Sequence, residues 1–237
     1  MCDYTGMSSH YDLIMTSGYY DYDSIVDHLV RFEEVGEVLE IGAGTGLVIE
    51  RLAKRRPDLD ITGVDLTSAM LQIAKKRLAA FPKVTTYLQN VVTLDLQSTF
   101  DLAFSYGGVW YFVPENDHFS MISHIRDEQA NAEGLERISA HLKPGGRLLL
   151  GIQAPHHDYS RPVREKMEYS QRITPITDGF RKYYCLSDGD GQPLMEQTTD
   201  YRIYSFDAAI ELLDKCGFEY RPSSGDDAPL FLEFGKR

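Results

Sequence analysis

The feature that most constrains this chain is a glycine-rich segment that directly follows a short apolar run. Residues 38–41 are Val-Leu-Glu-Ile, and residues 42–46 are Gly-Ala-Gly-Thr-Gly. The apolar run is typical of a buried parallel strand, and residues 47–55 have the pattern of a helix. Glycine lets the backbone approach a ligand closely, and free N–H groups at a helix start favour negative or polar groups. The segment therefore predicts a site for an adenosyl or dinucleotide group.

The spacing of the glycines discriminates between these two ligands. A dinucleotide site favours G-x-G-x-x-G, whereas the third glycine here comes one residue early, at Gly46, and is followed by Leu47. Glu40 stands just before the glycines, where a carboxylate repels a pyrophosphate and attracts an ammonium or sulfonium group. We therefore expect S-adenosylmethionine as cofactor and S-adenosylhomocysteine as product. An NAD-dependent oxidoreductase would need the other spacing.

A second acid is predicted at the end of the next strand. Residues 59–64 have the pattern of a strand that ends at Asp65, and a carboxylate there can accept hydrogen bonds from both ribose hydroxyls. The alternative is that Asp65 caps the helix predicted over residues 67–80, for which Thr67 is the better candidate.

Composition limits the partners of the protein. The chain has 237 residues and is 43% hydrophobic, enough for one α/β domain with a sizeable core. A net charge of −12 repels nucleic-acid backbones and acidic membrane surfaces. No apolar run approaches the ~20 residues of a spanning helix, and the N-terminus has no signal-peptide pattern. Its few, dispersed cysteines indicate a reducing compartment. We expect a cytoplasmic protein without nucleic-acid or membrane partners.

Several segments together resemble a known family. V-L-E-I-G-A-G-T-G resembles motif I of the class I S-adenosylmethionine-dependent methyltransferases, and G-V-D-L-T-S-A-M-L, F-D-L-A and L-K-P-G-G follow in the family's order. The resemblance covers roughly residues 24–153. It implies an α/β, Rossmann-like seven-stranded sheet with helices on both faces. The cofactor-binding residues that we predict in these first motifs are Glu40, Gly42, Ala43, Gly44, Gly46, Asp65, Leu66 and Met70.

The ends of the next two strands complete the predicted cofactor site. Members of the family often place an Asp after the third strand to accept from the adenine amino group, and Asn90 stands there in this chain. An Asn carbonyl can accept in the same way, and Val91 can supply a backbone N–H. Ser105 and Tyr106 end the fourth strand and should face the transferred methyl, because ligands bind beyond the carboxyl ends of such strands.

The N-terminal segment is predicted to be a lid. Small-molecule methyltransferases often begin with Y-D-x-x and a second tyrosine about ten residues on, and Tyr11 and Tyr22 fit that pattern by position. The resemblance implies that their hydroxyls reach the methionine moiety of the cofactor. The alternative is a surface arm held by aromatic side chains. A helix over residues 24–32, capped by Asp23 or Ser24, should follow.

Beyond the fourth strand, the sequence indicates a pocket for a small molecule. Residues 105–112 lack the Pro-Pro of DNA amino-methyltransferases and contain two glycines and several aromatic residues. Trp110, Tyr111 and Phe112 suit an apolar or cationic ligand, although they equally suit a core element. His156 and His157 are the candidate bases, since histidine titrates near neutrality; the alternative is that both face solvent. Tyr106 and Tyr111 are the alternative candidates for orienting the acceptor.

The second half of the chain is predicted to cover the substrate. Helices are expected over residues 117–125 and 131–141, a basic cover over residues 154–182, and a hairpin of strands 180–187 and 194–204. This hairpin resembles those of sugar amine N-methyltransferases, and it should cover either the substrate or the partner in a homodimer. Asp188-Gly189-Asp190-Gly191 is a turn rather than a calcium loop, which needs more carboxylates at fixed spacing; no metal is predicted.

These observations predict one methyltransferase domain over residues 1–237. Its parts are a lid (1–23), a cofactor-binding core (24–153), a substrate cover with the hairpin (154–204), and a closing helix and hairpin (205–237). The predicted reaction transfers a methyl group to an N or O atom of a small molecule, such as a secondary metabolite. The alternatives are a non-catalytic cofactor-binding subunit and a methyltransferase that acts on a protein.

Overall fold

A computed structural model describes residues 4–115, 118–164, 166–222 and 229–237. Within these ranges the strands form a seven-stranded sheet and a six-stranded sheet. The helices are α1 (Ser8–Met15), α2 (Tyr22–Leu29), α3 (Leu47–Arg55), α4 (Ser68–Leu78), α5 (Glu128–His141) and α6 (Phe206–Lys215), with 3-10 turns at Thr5–Met7 and Val91–Thr93. The strands are β1 (Glu37–Ile41), β2 (Asp60–Asp65), β3 (Val84–Leu88), β4 (Phe100–Ser105), β5 (Trp110–Glu115), β6 (His118–Ser123), β7 (Leu142–Gly151), β8 (Tyr159–Arg164), β9 (Met167–Ile176), β10 (Gly179–Ser187), β11 (Pro193–Ser205), β12 (Phe218–Arg221) and β13 (Phe231–Lys236).

The seven-stranded sheet has the order β12-β13-β7-β4-β1-β2-β3. Strands β3, β2, β1, β4 and β7 are parallel, whereas β13 is antiparallel to both of its neighbours. The carboxyl ends of β1, β2 and β4 therefore meet at one edge of the sheet. This is the Rossmann-like sheet that the sequence predicts, including its closing antiparallel pair.

Alternate side chains of the central strands pack on opposite faces of this sheet. Val38 lies in an apolar group with residues of α2, α3 and α4, whereas Leu39 lies in one with residues of α5 and α6. Both faces of β1 are thus covered by helices. Coverage on both faces explains why the strand is a continuous apolar run instead of an alternating pattern.

The six-stranded sheet is antiparallel and has the order β5-β6-β11-β10-β9-β8. The predicted hairpin is its β10–β11 pair, which is confirmed, but the sequence did not predict the other four strands. The helix predicted over residues 117–125 is wrong where the structure describes it, because His118–Ser123 is β6. Met121 and Ile122 pack on opposite faces of this sheet, because successive residues of a strand point to opposite faces.

Two helices begin earlier than the sequence predicts. Helix α2 begins at Tyr22 because the Asp21 carboxylate accepts from the Ser24 N–H at 3.1 Å, so the predicted caps Asp23 and Ser24 are wrong. Helix α5 begins at Glu128 because Asp127 accepts from the Ala130 N–H at 2.8 Å. In both cases the cap satisfies an N–H group that the first turn leaves unpaired.

Candidate active site

The glycine turn lies between β1 and α3 at the carboxyl edge of the main sheet. Gly42 has φ +77°, and a Cβ atom there would lie 2.8 Å from the Gly108 Cα. The turn is fixed by the Val64 carbonyl of β2, which accepts from the N–H groups of Gly42 and Ala43 at 2.9 Å. The close approach of residues 42 and 108 therefore requires glycine, and it brings the loop after β4 against the turn.

Two carboxylates stand beside the glycine turn. Asp65 ends β2, and its two oxygens accept from the N–H groups of Gly44 at 2.8 Å and Thr67 at 2.7 Å. Glu40 lies in β1 and is 3% exposed, and its Oε2 atom has no hydrogen-bond partner. Burial raises the pKa of both carboxyls, and the nearby Asp65 adds to the rise for Glu40. A buried, unpartnered acidic oxygen is costly, and it fits a cationic or hydrogen-bond-donating ligand.

The glycine turn and Asp65 open into a cavity of about 780 Å³, a volume that includes its mouth. Its wall joins the main sheet, the N-terminal segment and the six-stranded sheet. The predicted site residues that line it are Tyr11, Gly42, Gly44, Asp65, Leu66, Met70, Tyr111 and His156. The structure thus brings together the two ends of the predicted site, from the glycine turn to the candidate acceptor-orienting tyrosine.

The N-terminal segment is attached to the glycine turn. The Asp12 carboxylate accepts from the Thr45 hydroxyl at 2.6 Å and forms an ion pair with Arg77 of α4. The Tyr11 hydroxyl lies 3.9 Å from the position that a Cβ at Gly44 would occupy. Helix α1 therefore covers the cavity, as the predicted lid would.

One histidine of the predicted pair faces the cavity. His156 Nε2 lies 2.7 Å from the Tyr111 hydroxyl, and its Nδ1 lies 3.5 Å from Lys182 Nζ. Burial, followed by the charge of Lys182, lowers the pKa of His156 to about 3. His156 is thus a neutral hydrogen-bonding group at physiological pH. His157 is exposed and its Nδ1 lies 3.2 Å from the Pro155 carbonyl, outside this cavity.

The aromatic run after β4 divides between the cavity and the core. Tyr111 lines the cavity, whereas Trp110 and Phe112 pack against α5 and α6 on the other face of β5. Trp110 Nε1 donates to the Asn131 side-chain oxygen at 2.7 Å. Both interpretations of this run therefore hold, since alternate residues of a strand point to opposite faces.

Seven other predicted cofactor residues do not line the cavity, and Glu40 lies buried behind the turn. Gly46 packs against Leu78 and Ala43 forms the back of the turn. Asn90 instead caps the 3-10 turn through the Val92 N–H at 3.0 Å. Tyr106 packs against Phe231 in a separate cleft. Three further predicted residues are buried. Tyr22 contacts Arg51, and Val91 packs in the core. The Oγ atom of Ser105 has no hydrogen-bond partner.

The sequence did not predict a set of polar and aromatic residues on the cavity wall. Three phenols form a hydrogen-bonded chain, in which the Tyr201 hydroxyl lies 2.8 Å from that of Tyr4 and 2.6 Å from that of Tyr184. The alternation of residue types along β10 and β11 shows which residues share a face of the sheet. It does not show which of the two faces lines a cavity. The unpredicted wall residues include Tyr4, Tyr19, Tyr20, His124, Gln153, Lys182, Tyr184 and Tyr201.

Comparisons with known proteins agree with this geometry. Residues 38–146 match a family described as a methyltransferase domain. These residues therefore have the sequence pattern of a methyltransferase domain, in agreement with the family that the motifs resemble. The match covers β1 to the start of β7, which includes the glycine turn and Asp65 of this methyltransferase domain.

The methyltransferase domain is similar to curated enzymes over part of their length. A demethylmenaquinone methyltransferase of Symbiobacterium thermophilum is 31% identical over 155 residues, covering 63% of this chain and 55% of that protein. A malonyl-[acyl-carrier protein] O-methyltransferase of Ilyobacter polytropus is 25% identical over 152 residues, covering 62% and 52%. The chain thus spans about half the length of these curated relatives.

A solved structure matches nearly the whole chain. The S-adenosylmethionine-bound amino pentose methyltransferase of Micromonospora echinaspora superimposes with a TM-score of 0.72 at 21% identity, covering 96% of each chain. This similarity concerns the fold. In the described ranges, no helix of this chain is long and apolar enough to cross a membrane.

Proposed function

We propose that this protein transfers a methyl group from S-adenosylmethionine to an N or O atom of a small molecule. The observation that carries the proposal is the glycine turn with the Asp65 carboxylate in the wall of an aromatic cavity, and the unpartnered Glu40 carboxyl buried behind that turn. S-adenosylmethionine supplies a methyl group on a positively charged sulfur. A nearby cation favours the ionised form of the buried Glu40 carboxyl, and Asp65 retains acceptor capacity for ribose hydroxyls.

The residues of the chain contribute mainly by position and by exclusion of water. The cofactor leaving group is good, so holding the acceptor in line and desolvating it can supply much of the acceleration. Tyr111 and His156 form a hydrogen-bonded pair on the cavity wall, where they orient the acceptor. The predicted roles of His156 and Tyr111 therefore become positioning roles in this proposal. Only an acceptor that arrives protonated needs a base.

The lining of the cavity supports a small acceptor. Its wall is mostly aromatic, with a few polar groups such as Asp65, Gln153 and Lys182, which is typical of small-molecule sites. Trp110 and Phe112 are buried on the other face of β5, so they do not fill the cavity. The alternative, a non-catalytic cofactor-binding subunit, would require them to do so. The relatives are named for a quinone, an acyl-carrier-protein substrate and an amino pentose, so their names alone leave the acceptor open.

Calorimetric titration with S-adenosylhomocysteine, with NAD as a parallel ligand, tests the cofactor. We expect micromolar binding of S-adenosylhomocysteine alone; binding of NAD alone, or of neither, contradicts the proposal. A turnover assay on amines, phenols and carboxylic acids then separates an enzyme from a cofactor-binding subunit. Methylation of one class supports the enzyme, and cofactor binding without turnover on any class supports the subunit.

We further propose a cytoplasmic enzyme that binds no nucleic acid, and either a monomer or a homodimer. The net charge of −12 supports the absence of nucleic-acid binding, because it repels phosphate backbones. Sedimentation velocity with and without a DNA duplex tests the absence of nucleic-acid binding and the oligomeric state. A duplex that sediments with the protein at about 0.15 M salt contradicts the first, and the sedimentation coefficient of the protein alone reports the oligomer.

A further inference from the structure

One lysine is fully buried in the wall of the cavity. Lys182 lies in β10 and is 0% exposed. Its Nζ atom donates to the Tyr19 hydroxyl at 2.8 Å and lies 4.7 Å from the centre of the Tyr184 ring. An ammonium group in such a place loses its hydration, which is expensive without a counter-charge. Burial accordingly lowers the pKa of Lys182 to about 7.

No carboxylate of the described residues lies within ion-pair distance of Lys182. The groups that face it are two phenols and His156, and burial lowers the pKa of both His156 and His124 to about 3. Arg161 lies over the Tyr19 ring, but its Nη2 atom is bonded to the Ile14 carbonyl and the Ser17 hydroxyl. The side chains in contact with Lys182 are therefore neutral, and Asp65, the acid in the wall of this cavity, forms no ion pair with it.

A hydrogen-bond donor of Gln153, on the same wall, lacks a partner. Gln153 is 8% exposed, and its Nε2 atom has no hydrogen-bond partner. Its Oε1 atom accepts from the Tyr20 hydroxyl at 3.1 Å, and the Tyr20 ring packs 4.8 Å from the ring of Tyr19. Lys182 and Gln153 are thus linked through two contacting tyrosines. Both supply donors to the cavity, and a ligand with negatively charged oxygens would satisfy both.

We infer that the methyl acceptor of this cavity is a small organic acid, whose anionic group binds Lys182. This inference rests on the proposed methyl transfer and names the class of substrate. The anionic group neutralises the lysine, and the surrounding tyrosines provide apolar faces for the rest of the molecule. Carboxylate and sulfonate groups share the chemistry that the lysine recognises.

Anion binding should be accompanied by proton uptake on Lys182. An opposite charge at contact distance favours the ammonium form and raises the pKa of the lysine. An acid that stays ionised should therefore bind more tightly as pH falls towards about 7, and its affinity should level off below that pH. The wall groups near Lys182 stay neutral there, because the pKa values of His124 and His156 are about 3 and those of Tyr19 and Tyr184 are raised by burial. Asp65 also lines the cavity but forms no ion pair with Lys182.

The test follows the side-chain resonance of Lys182 by NMR in protein labelled at the lysine Cε and saturated with S-adenosylhomocysteine. The Lys182→Met variant assigns the resonance. The probes are benzoate and sulfate, with benzamide and benzylamine as the neutral and cationic comparisons. We expect benzoate or sulfate to raise the proton affinity of Lys182 by at least about tenfold, and benzamide to leave it unchanged.

Two variants make the result specific. Lys182→Met keeps most of the side-chain length and should lose anion binding while S-adenosylhomocysteine still binds. Lys75→Met removes the same charge from an exposed position of α4 and should leave the response intact. An unchanged proton affinity with both anions, or a response to benzylamine alone, overturns the inference. Failure of wild-type protein to bind S-adenosylhomocysteine would instead overturn the proposed function, so the two failures are distinct.

Discussion

The Asp12 carboxylate accepts a 2.6 Å hydrogen bond from the Thr45 hydroxyl, and this bond joins the N-terminal helix to the glycine turn. Arg77 of α4 extends the contact, because it forms an ion pair with Asp12 and its Nε donates to the Thr45 carbonyl at 2.9 Å. Three elements that are distant in sequence are thereby held around the cofactor end of the cavity. The position of helix α1 is therefore coupled to that of the glycine turn.

Replacement of Asp12 should loosen the attachment of helix α1 to the glycine turn. In Asp12→Ala, Thr45 loses its acceptor and Arg77 loses an ion pair, so we expect a loss of about 1–2 kcal/mol in the free energy of unfolding and weaker binding of S-adenosylhomocysteine. Urea denaturation and calorimetry measure the two effects. Asp23→Ala is the matched control, since the Asp23 side chain is 88% exposed and pairs only loosely with Arg51. Equal behaviour of the two variants would contradict the coupling.

Asp65 should contribute directly to cofactor affinity. We expect Asp65→Ala to weaken S-adenosylhomocysteine binding at least about tenfold, which corresponds to about 1.4 kcal/mol. Asp65→Asn should give an intermediate loss, because an amide oxygen still accepts hydrogen bonds although it carries no charge. The exposed Asp60→Ala in the same strand is the control. Unchanged calorimetric affinity in Asp65→Ala would disprove the predicted ribose contact.

Glu40 should make the ligand-free protein less stable as pH rises. Burial raises the pKa of this carboxyl in the folded state, with a further contribution from Asp65. Between the ordinary pKa of glutamate and the higher folded value, the folded chain holds a proton that the unfolded chain has released. The free energy of unfolding therefore falls as pH rises through that window.

The Glu40→Gln variant removes this titration. We expect its melting temperature to fall less than that of the wild type between pH 5 and pH 8, by about 2–4 °C, which corresponds to about 1 kcal/mol in a chain of this size. Glu136→Gln at an exposed position of α5 should follow the wild type. If the melting temperature of Glu40→Gln falls with pH as much as that of the wild type, the buried carboxyl does not cause the loss of stability.

The motifs at strand ends were predictable, because the backbone geometry at these positions restricts which residue types can occupy them. Gly42 is required by the approach of Gly108, and Asp65 stands where parallel strands converge. The functions of Asn90 and Tyr106 were less predictable, since a cap on the next turn and a ring contact with Phe231 use the same residue types. Local sequence does not decide between a ligand and a neighbouring backbone group.

The far wall of the cavity was not predictable for a different reason. Lys182, Tyr184 and Tyr201 belong to two strands of a sheet whose other strands come from residues 110–123 and 159–176. Their meeting depends on long-range pairing rather than on local pattern. A lysine in an alternating strand normally predicts the solvent face, and only the assembled sheet shows that this one is buried.

Asn131 should be important for folding rather than for catalysis. Its side-chain oxygen accepts from Trp110 Nε1 at 2.7 Å and from the Ser123 hydroxyl at 2.6 Å, and its nitrogen donates to the Ile125 and Asp127 carbonyls. Asn131→Leu leaves these buried groups without partners, so we expect a loss of about 3 kcal/mol in denaturant unfolding. A loss below about 1 kcal/mol in Asn131→Leu would contradict this.

The two neighbouring histidines should differ clearly in their effect on kcat. His156→Ala removes the partner of the Tyr111 hydroxyl and should reduce kcat about tenfold, with S-adenosylhomocysteine affinity unchanged. His157→Ala is the matched control, since that side chain is exposed, and its kcat should stay within about twofold of the wild type. Equal losses in both variants would contradict the placement of only one histidine in the cavity.

The pH profile distinguishes a positioning role of His156 from a base role. Because the pKa of His156 is lowered to about 3 by burial and by the charge of Lys182, this histidine is neutral at every pH from about 5 to 9. The ratio of wild-type to His156→Ala kcat should therefore be constant over that range, after correction for the pKa of the neighbouring Lys182, which is measured in both proteins by the NMR titration above. A ratio that changes with a midpoint near pH 6.5 would show that His156 takes up a proton during turnover and acts as the base.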